Sequence, residues 1–119
     1  MPDNNARLIR FNGGPMVDPV PGKPKQPLTG DASFLSVKAF DHETARAGVW
    51  ESTAGTFQAN NAGYIEFGYI VEGACRLVDP DGTVHALAVG DAFVMPEGYS
   101  GRWEVDRTVK KIYFISVTR

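Results

Sequence analysis

The chain has 119 residues, of which 43% are hydrophobic and 22% charged, with a formal net charge of -2 and an isoelectric point near 5.6. That length suits one domain, and the composition excludes wholesale disorder. The absence of a basic excess argues against a nucleic-acid partner, and no run approaches the ~18 consecutive apolar residues that a membrane span needs.

The stretch from Met1 to Arg10 is polar and lacks the apolar core of a secretory signal, so a cytoplasmic location is expected. Residues 12–30 carry Pro15, Pro19, Pro21, Pro24 and Pro27 together with Gly13, Gly14, Gly22 and Gly30. Proline lacks the donor that a helix or a central strand requires, so this spacing predicts an extended, partly polyproline arm. The arm is assigned to residues 1–30, either as a loose tail or lying on the barrel or on a partner chain; the folded domain is assigned to residues 31–119.

From residue 33 onward, short runs rich in β-branched and aromatic residues alternate with turn residues. Ser33–Phe40 and Arg46–Glu51 read as strands around a turn at Asp41-His42-Glu43-Thr44. An alternative for Asp31–Phe40, a helix capped by Asp31, fits less well because Phe34, Val37 and Phe40 are poor helix formers. Tyr64–Val71, Ala74–Val78, Val84–Val89, Ala92–Met95, Gly101–Val105 and Val109–Val117 complete the series. Turns fall at Asp79-Pro80-Asp81-Gly82, Gly90-Asp91, Pro96-Glu97-Gly98 and Asp106-Arg107. So many short strands at this spacing predict an all-β sandwich or barrel. With period-two alternation, Trp103 faces inward with Gly101 and Val105, while Arg102, Glu104 and Asp106 face water. On the last strand Lys111, Tyr113, Ile115 and Val117 share one face, and Lys110, Ile112, Phe114 and Ser116 share the other.

Two motifs sharpen this reading. Gly90 is followed by Asp-Ala-Phe-Val-Met and then Pro96, Glu97 and Gly98, a glycine-proline-glycine spacing that resembles the second motif of the cupin superfamily. Gly101 stands where that motif ends in histidine. Glu66 followed seven residues later by Gly73 resembles the end of the first motif. Ala59, Asn60, Asn61 and Ala62 occupy the stretch where the first motif carries its histidine pair. Gly48–Phe57, Tyr69–Gly73, Gly90–Phe93, Pro96–Val105 and Lys111–Tyr113 are similar, in order, to segments of the small single-domain cupins related to ureidoglycine aminohydrolase. The resemblance implies a double-stranded β-helix, or jelly-roll, barrel and a nitrogenous or carboxylate metabolite as ligand.

The chemistry available is narrow. With only His42 and His85 in the chain, a site built on several imidazoles of one chain is excluded. His42 lies in a polar turn and His85 on a strand leading away from the motifs, so both are expected at the surface. Cys75 is the single cysteine, which excludes an internal disulfide and a cysteine zinc cluster; on a strand it reads as a small buried apolar group. The expected cofactor set is none, with one opening left for a weakly held hard cation on the oxygens of Asn60, Asn61 and Glu66.

What remains is a set of polar groups on apolar strands: Glu66, Lys111 and Tyr113, with Trp50, Tyr64 and Trp103 as walls. A charge turned towards a core requires a partner or a ligand. Either Glu66 and Lys111 form an ion pair that merely closes the barrel, or they converge with the aromatics on a small-molecule pocket. Glu51 belongs to the pocket mouth or to solvent. The expected protein is a cupin barrel binding a small polar metabolite, with Glu66, Lys111 and Tyr113 as candidate catalytic groups for acid–base work. The alternatives are a metal-dependent hydrolase like ureidoglycine aminohydrolase with an atypical oxygen-rich site, and a non-catalytic dimeric module. The expected assembly is a homodimer, through sheet edges or the arm.

Overall fold

The computed structural model describes residues 6–11 and 18–118, which form ten β-strands and no helix. No helix among them is long and apolar enough to cross a membrane. One sheet runs in the order β1 (Val20–Gly22), β3 (Phe34–His42), β4 (Ala45–Ser52), β10 (Val109–Val117), β6 (Tyr64–Val78) and β8 (Ala92–Met95). The other runs β2 (Pro27–Thr29), β5 (Gly55–Gln58), β9 (Arg102–Val105), β6 again, and β7 (Val84–Ala88). Every pairing is antiparallel. The two sheets share β6, which curls the whole into the jelly-roll barrel that the motifs imply.

That shared strand differs from expectation. The two strands read at Tyr64–Val71 and Ala74–Val78 are one strand of 15 residues. Lys110 opposes Glu72 while Lys111 opposes Ile70, so Val71 is an extra residue and β6 bulges there. A bulge bends a strand without ending its ladder. Gly73 completes the bend at φ 74°, where an added Cβ would lie 2.0 Å from the Thr108 carbonyl oxygen. Glu72-Gly73 therefore acts as a corner between sheets rather than as a turn between strands.

Other boundaries shift for physical reasons. The helix alternative is overturned: Phe34–His42 is a strand, paired along its length with β4. The turn after it shortens to Glu43-Thr44, because Asp41 and His42 still pair with Arg46 and Ala45. β5 has only four residues, too few for a period to register in the sequence. Within the proline-rich stretch, Val20–Gly22 pairs with β3 and Pro27–Thr29 with β5, each at a sheet edge where a missing proline donor breaks no internal ladder. Of the expected arm, residues 1–5 and 12–17 lie outside the described residues.

The barrel interior is packed at one end and hollow at the other. Ile70, Cys75, Leu77, Val105 and Val109 are buried with Phe57 and Trp103. Alternation on β9 and β10 runs as expected: Trp103 and Val105 are buried between exposed or half-exposed Arg102 and Glu104, and Val109 and Lys111 are buried while Phe114 and Ser116 are exposed. On β6 the inward residues are Tyr64, Glu66, Gly68 and Ile70. Its outward residues Ile65, Phe67 and Tyr69 are large, apolar and exposed.

Candidate functional site

Strand alternation and register together bring the candidate residues into one place. Trp50, Tyr64, Glu66, Trp103, Lys111 and Tyr113 all line a single cavity of about 740 Å³ inside the barrel. At its centre Lys111 Nζ is ion-paired with Glu66 Oε2, with the two residues 5% and 6% exposed. The ammonium also lies 4.5 Å from the Trp50 ring centroid and 4.6 Å from that of Trp103. One carboxylate and two π faces thus surround a cation that has left water, the compensation a buried charge requires. The indoles are fixed in turn: their centroids are 5.1 Å apart, Phe34 packs 5.0 Å from Trp50, and Phe57 stacks 6.3 Å from Trp103.

Tyr113 sits in a slot made by glycine. Its register neighbours are Gly48 on β4 and Gly68 on β6. A Cβ at Gly48 would lie 2.9 Å from the Tyr113 hydroxyl and 2.2 Å from the Val37 carbonyl oxygen, and one at Gly68 would lie 2.4 Å from the Phe93 ring. Burial raises the Tyr113 pKa above its ordinary value, with Lys38 acting in the opposite direction and Glu66 adding to the rise. Tyr64 is raised likewise, first by burial and then by Glu66, and its hydroxyl donates to the Asn60 carbonyl at 3.4 Å. Both phenols are therefore neutral donors at neutral pH.

Two cavity residues lie outside the set of ligand contacts that the sequence suggests. Arg46 opposes Ile115, which opposes Glu66, so all three share an inward row. The alternation that turns Trp50 inward on β4 turns Arg46 inward too, a signal the sequence contains. Asn61, expected only as a cation ligand, lines the cavity and is 3% exposed. Its side-chain Nδ2 has no hydrogen-bond partner among the described residues, although its main chain is fixed by bonds of 3.0 Å to Tyr99 and Gly98. Glu51 is not among the cavity residues; it faces Lys110 at 3.8 Å.

The second-motif position that carries histidine in other cupins is structurally closed. Gly101 is buried, and a Cβ there would lie 2.3 Å from both the Tyr99 hydroxyl and the Val78 carbonyl oxygen. Tyr99 is held by a 2.9 Å bond to Asp79, which His85 also engages at 2.9 Å. Those two contacts, His85 first, keep the Asp79 carboxyl below its usual range. Ala59 and Asn61 are buried on the chain leading to Glu66. Among the described residues no three His, Cys, Asp or Glu side chains cluster. His42 is exposed and stacks 6.3 Å from Phe40. Cys75 is buried, which pushes its thiol up to about 11.

Residues 41–113 match the model of the EutQ-like cupin domain, which covers more than half of the chain. The chain belongs to the EutQ-like cupin family. Solved structures agree on the barrel. The EutQ protein of Clostridium difficile superposes with a TM-score of 0.67 at 18% identity, over 85% of this chain and 96% of that one. A protein of unknown function from Pseudomonas syringae pv. tomato gives 0.73 at 22% identity, over 87% of this chain and 45% of the other. The predicted oxalate decarboxylase of Thermotoga maritima gives 0.71 at 15% identity, over 93% and 99%. At these identities the likeness concerns the fold alone. No curated protein matches the cupin, and nothing in these matches ties it to ureidoglycine aminohydrolase.

Proposed function

We propose that this cupin is a cytoplasmic small-molecule-binding protein whose polar ligand sits against the Glu66–Lys111 pair, with no resident transition metal and neither nucleic acid nor membrane as partner. The observation that carries the reading is that the ion pair lines a cavity of about 740 Å³ instead of being packed over. Ligand sites take this form: apolar walls with a few convergent polar groups. Trp50, Tyr64 and Trp103 supply the walls, and Lys111, Glu66 and Tyr113 supply the polar contacts.

The same three groups suit acid–base work. For a ligand with an acidic C–H beside a carbonyl, Glu66 accepts the proton as the C–H bond breaks. The charge that moves to the carbonyl oxygen is then stabilised by the Lys111 ammonium and the Tyr113 hydroxyl.

The residues present do not fit the metal that histidine-bearing cupins hold. The surviving motif carboxylate, Glu66, is already engaged by Lys111. Gly101 has no room for a side chain, and Ala59 offers no donor atom. The oxygens of Asn60, Asn61 and Glu66 are too few for a tight calcium site. Elemental analysis of protein purified without a histidine tag is expected to find transition metal well below one per chain. One chelator-resistant Zn, Mn, Fe or Ni per chain would overturn the proposal.

A second copy of the chain is the proposed macromolecular partner. On the outer face of the first sheet, Phe67 lies between Phe114 and Val94 in register, and the three are 44%, 46% and 57% exposed. A contiguous apolar row of this kind is the usual mark of an interface. Residues 20–22 and 27–29 pair with strands of their own chain, and the contact proposed is this exposed face.

A further inference from the structure

The cavity is more cationic than the chain that encloses it. Its charged lining residues are Lys23, Lys25, Arg46, Lys111 and a single acid, Glu66, within a chain of net charge -2. Lys111 is engaged by Glu66, and Lys23 bonds Asp31 at 2.8 Å. Arg46 and Lys25 form no ion pair among the described residues. Lys25 is exposed, whereas Arg46 is half-buried in the inward row of Glu66. Its charge reaches both phenols, lowering what burial raises at Tyr64 and Tyr113. Asn61 lines the same cavity; it is 3% exposed, and its Nδ2 has no hydrogen-bond partner among the described residues. A buried donor without an acceptor is rare in a folded protein and calls for a partner.

We infer that Arg46 and Asn61 form the carboxylate-binding end of the cavity, so that the ligand is a small carboxylic acid. This rests on the ligand-binding reading above and goes further by naming the substrate class and two residues that select it. A planar carboxylate matches the fork of a guanidinium, and a remaining lone pair accepts from Asn61 Nδ2. The far end of the molecule then reaches the Glu66–Lys111 pair, where Lys111 accommodates a carbonyl, hydroxyl or second carboxylate. The one fixed acid of the cavity, Glu66, disfavours a more highly charged group such as phosphate.

The two tryptophans, Trp50 and Trp103, both line the cavity and provide the probe. Their indole N–H resonances are followed by NMR during titration of the full chain with malonate, malonamide or inorganic phosphate. Malonate is expected to shift these signals saturably and to bind about tenfold or more tighter than malonamide, the scale of one charge-assisted contact. Arg46→Gln is expected to remove that preference, Arg46→Lys to restore part of it, and Asn61→Ala to weaken malonate. Dispersed spectra of each variant establish that it is folded, and Arg46→Lys keeps the test in force should Arg46→Gln fail to fold. If malonamide binds as well as malonate, or Arg46→Gln leaves malonate binding unaltered, the carboxylate assignment falls while the ligand-binding reading stands. Phosphate binding tighter than malonate overturns the assignment in the same way. If none of the three probes moves either indole signal, the carboxylate assignment falls.

Discussion

Lys111 and Glu66 are not register partners, yet they form the one fully internal ion pair among the described residues. Lys111 opposes Ile70, and Glu66 opposes Ile115, four positions away along each strand. Four residues of strand span about 13 Å, so the contact is made diagonally and needs the full reach of a lysine. The two indoles flank this diagonal, with both ring centroids within 4.6 Å of the ammonium.

Removing one member of such a pair leaves a buried charge without compensation. Glu66→Gln and Lys111→Met should each lower unfolding stability by about 3 kcal/mol. The double variant should lose distinctly less than the two singles together, because it leaves no orphaned charge. Chemical denaturation of the four proteins measures the coupling; strictly additive losses would mean that the pair contributes nothing as a pair.

Gly101 provides a second test. Restoring the second-motif histidine with Gly101→His should not create a metal site, because the Tyr99 hydroxyl and the Val78 carbonyl occupy the space at 2.3 Å. The expected result is a loss of about 2 kcal/mol from overpacking, with no gain in zinc affinity by calorimetry. A stable variant that binds zinc one-to-one would show that the closure around Gly101 yields easily.

For assembly, Phe67→Asp and Phe114→Asp place charges on the row that includes Val94. Analytical ultracentrifugation is expected to find a dimer for the unmodified chain and a monomer for either variant. A monomer at every concentration, or a dimer indifferent to both changes, excludes this face.

Cys75 gives a pH signature. Burial raises its thiol from 9.0 to about 11. A folded value above the unfolded one means that this contribution to stability is complete below pH 9.0 and is lost as pH rises through about 11. Cys75→Ala should therefore lose less stability than the parent chain across that window, and the parent thiol should react slowly with a thiol reagent at neutral pH. Identical alkaline slopes for the two proteins would contradict the burial effect.

Much of the site is legible in the sequence through period-two alternation. It assigns Lys111 and Tyr113 to one face of β10 and Trp103 to the inside of β9, and the motif spacing singles out Glu66. The same alternation, carried back from Trp50, reaches Arg46, but a charged residue on a strand that also bears Gly48 does not stand out as a wall. The long β6 is not legible, since Glu72-Gly73 has the composition of a turn and only the ladder opposite Val109 and Lys110 keeps the strand continuous. Nor is the role of the prolines at 21 and 27, because an edge strand forgives a missing donor and leaves no period to read. The closure of Gly101 depends on Tyr99 being anchored to Asp79, 20 residues away, a contact that only the folded chain reveals.

The barrel is proposed to bind its ligand through Lys111 and Glu66 in place of a metal. Thermal melts of the chelator-treated protein against a library of small carboxylic acids test it most directly. At least one acid is expected to raise the melting temperature with chelator present, and the shift is expected to disappear in Lys111→Met and to shrink in Tyr113→Phe. Stabilisation that emerges only when a transition metal is added back, or that survives intact in Lys111→Met, would contradict it.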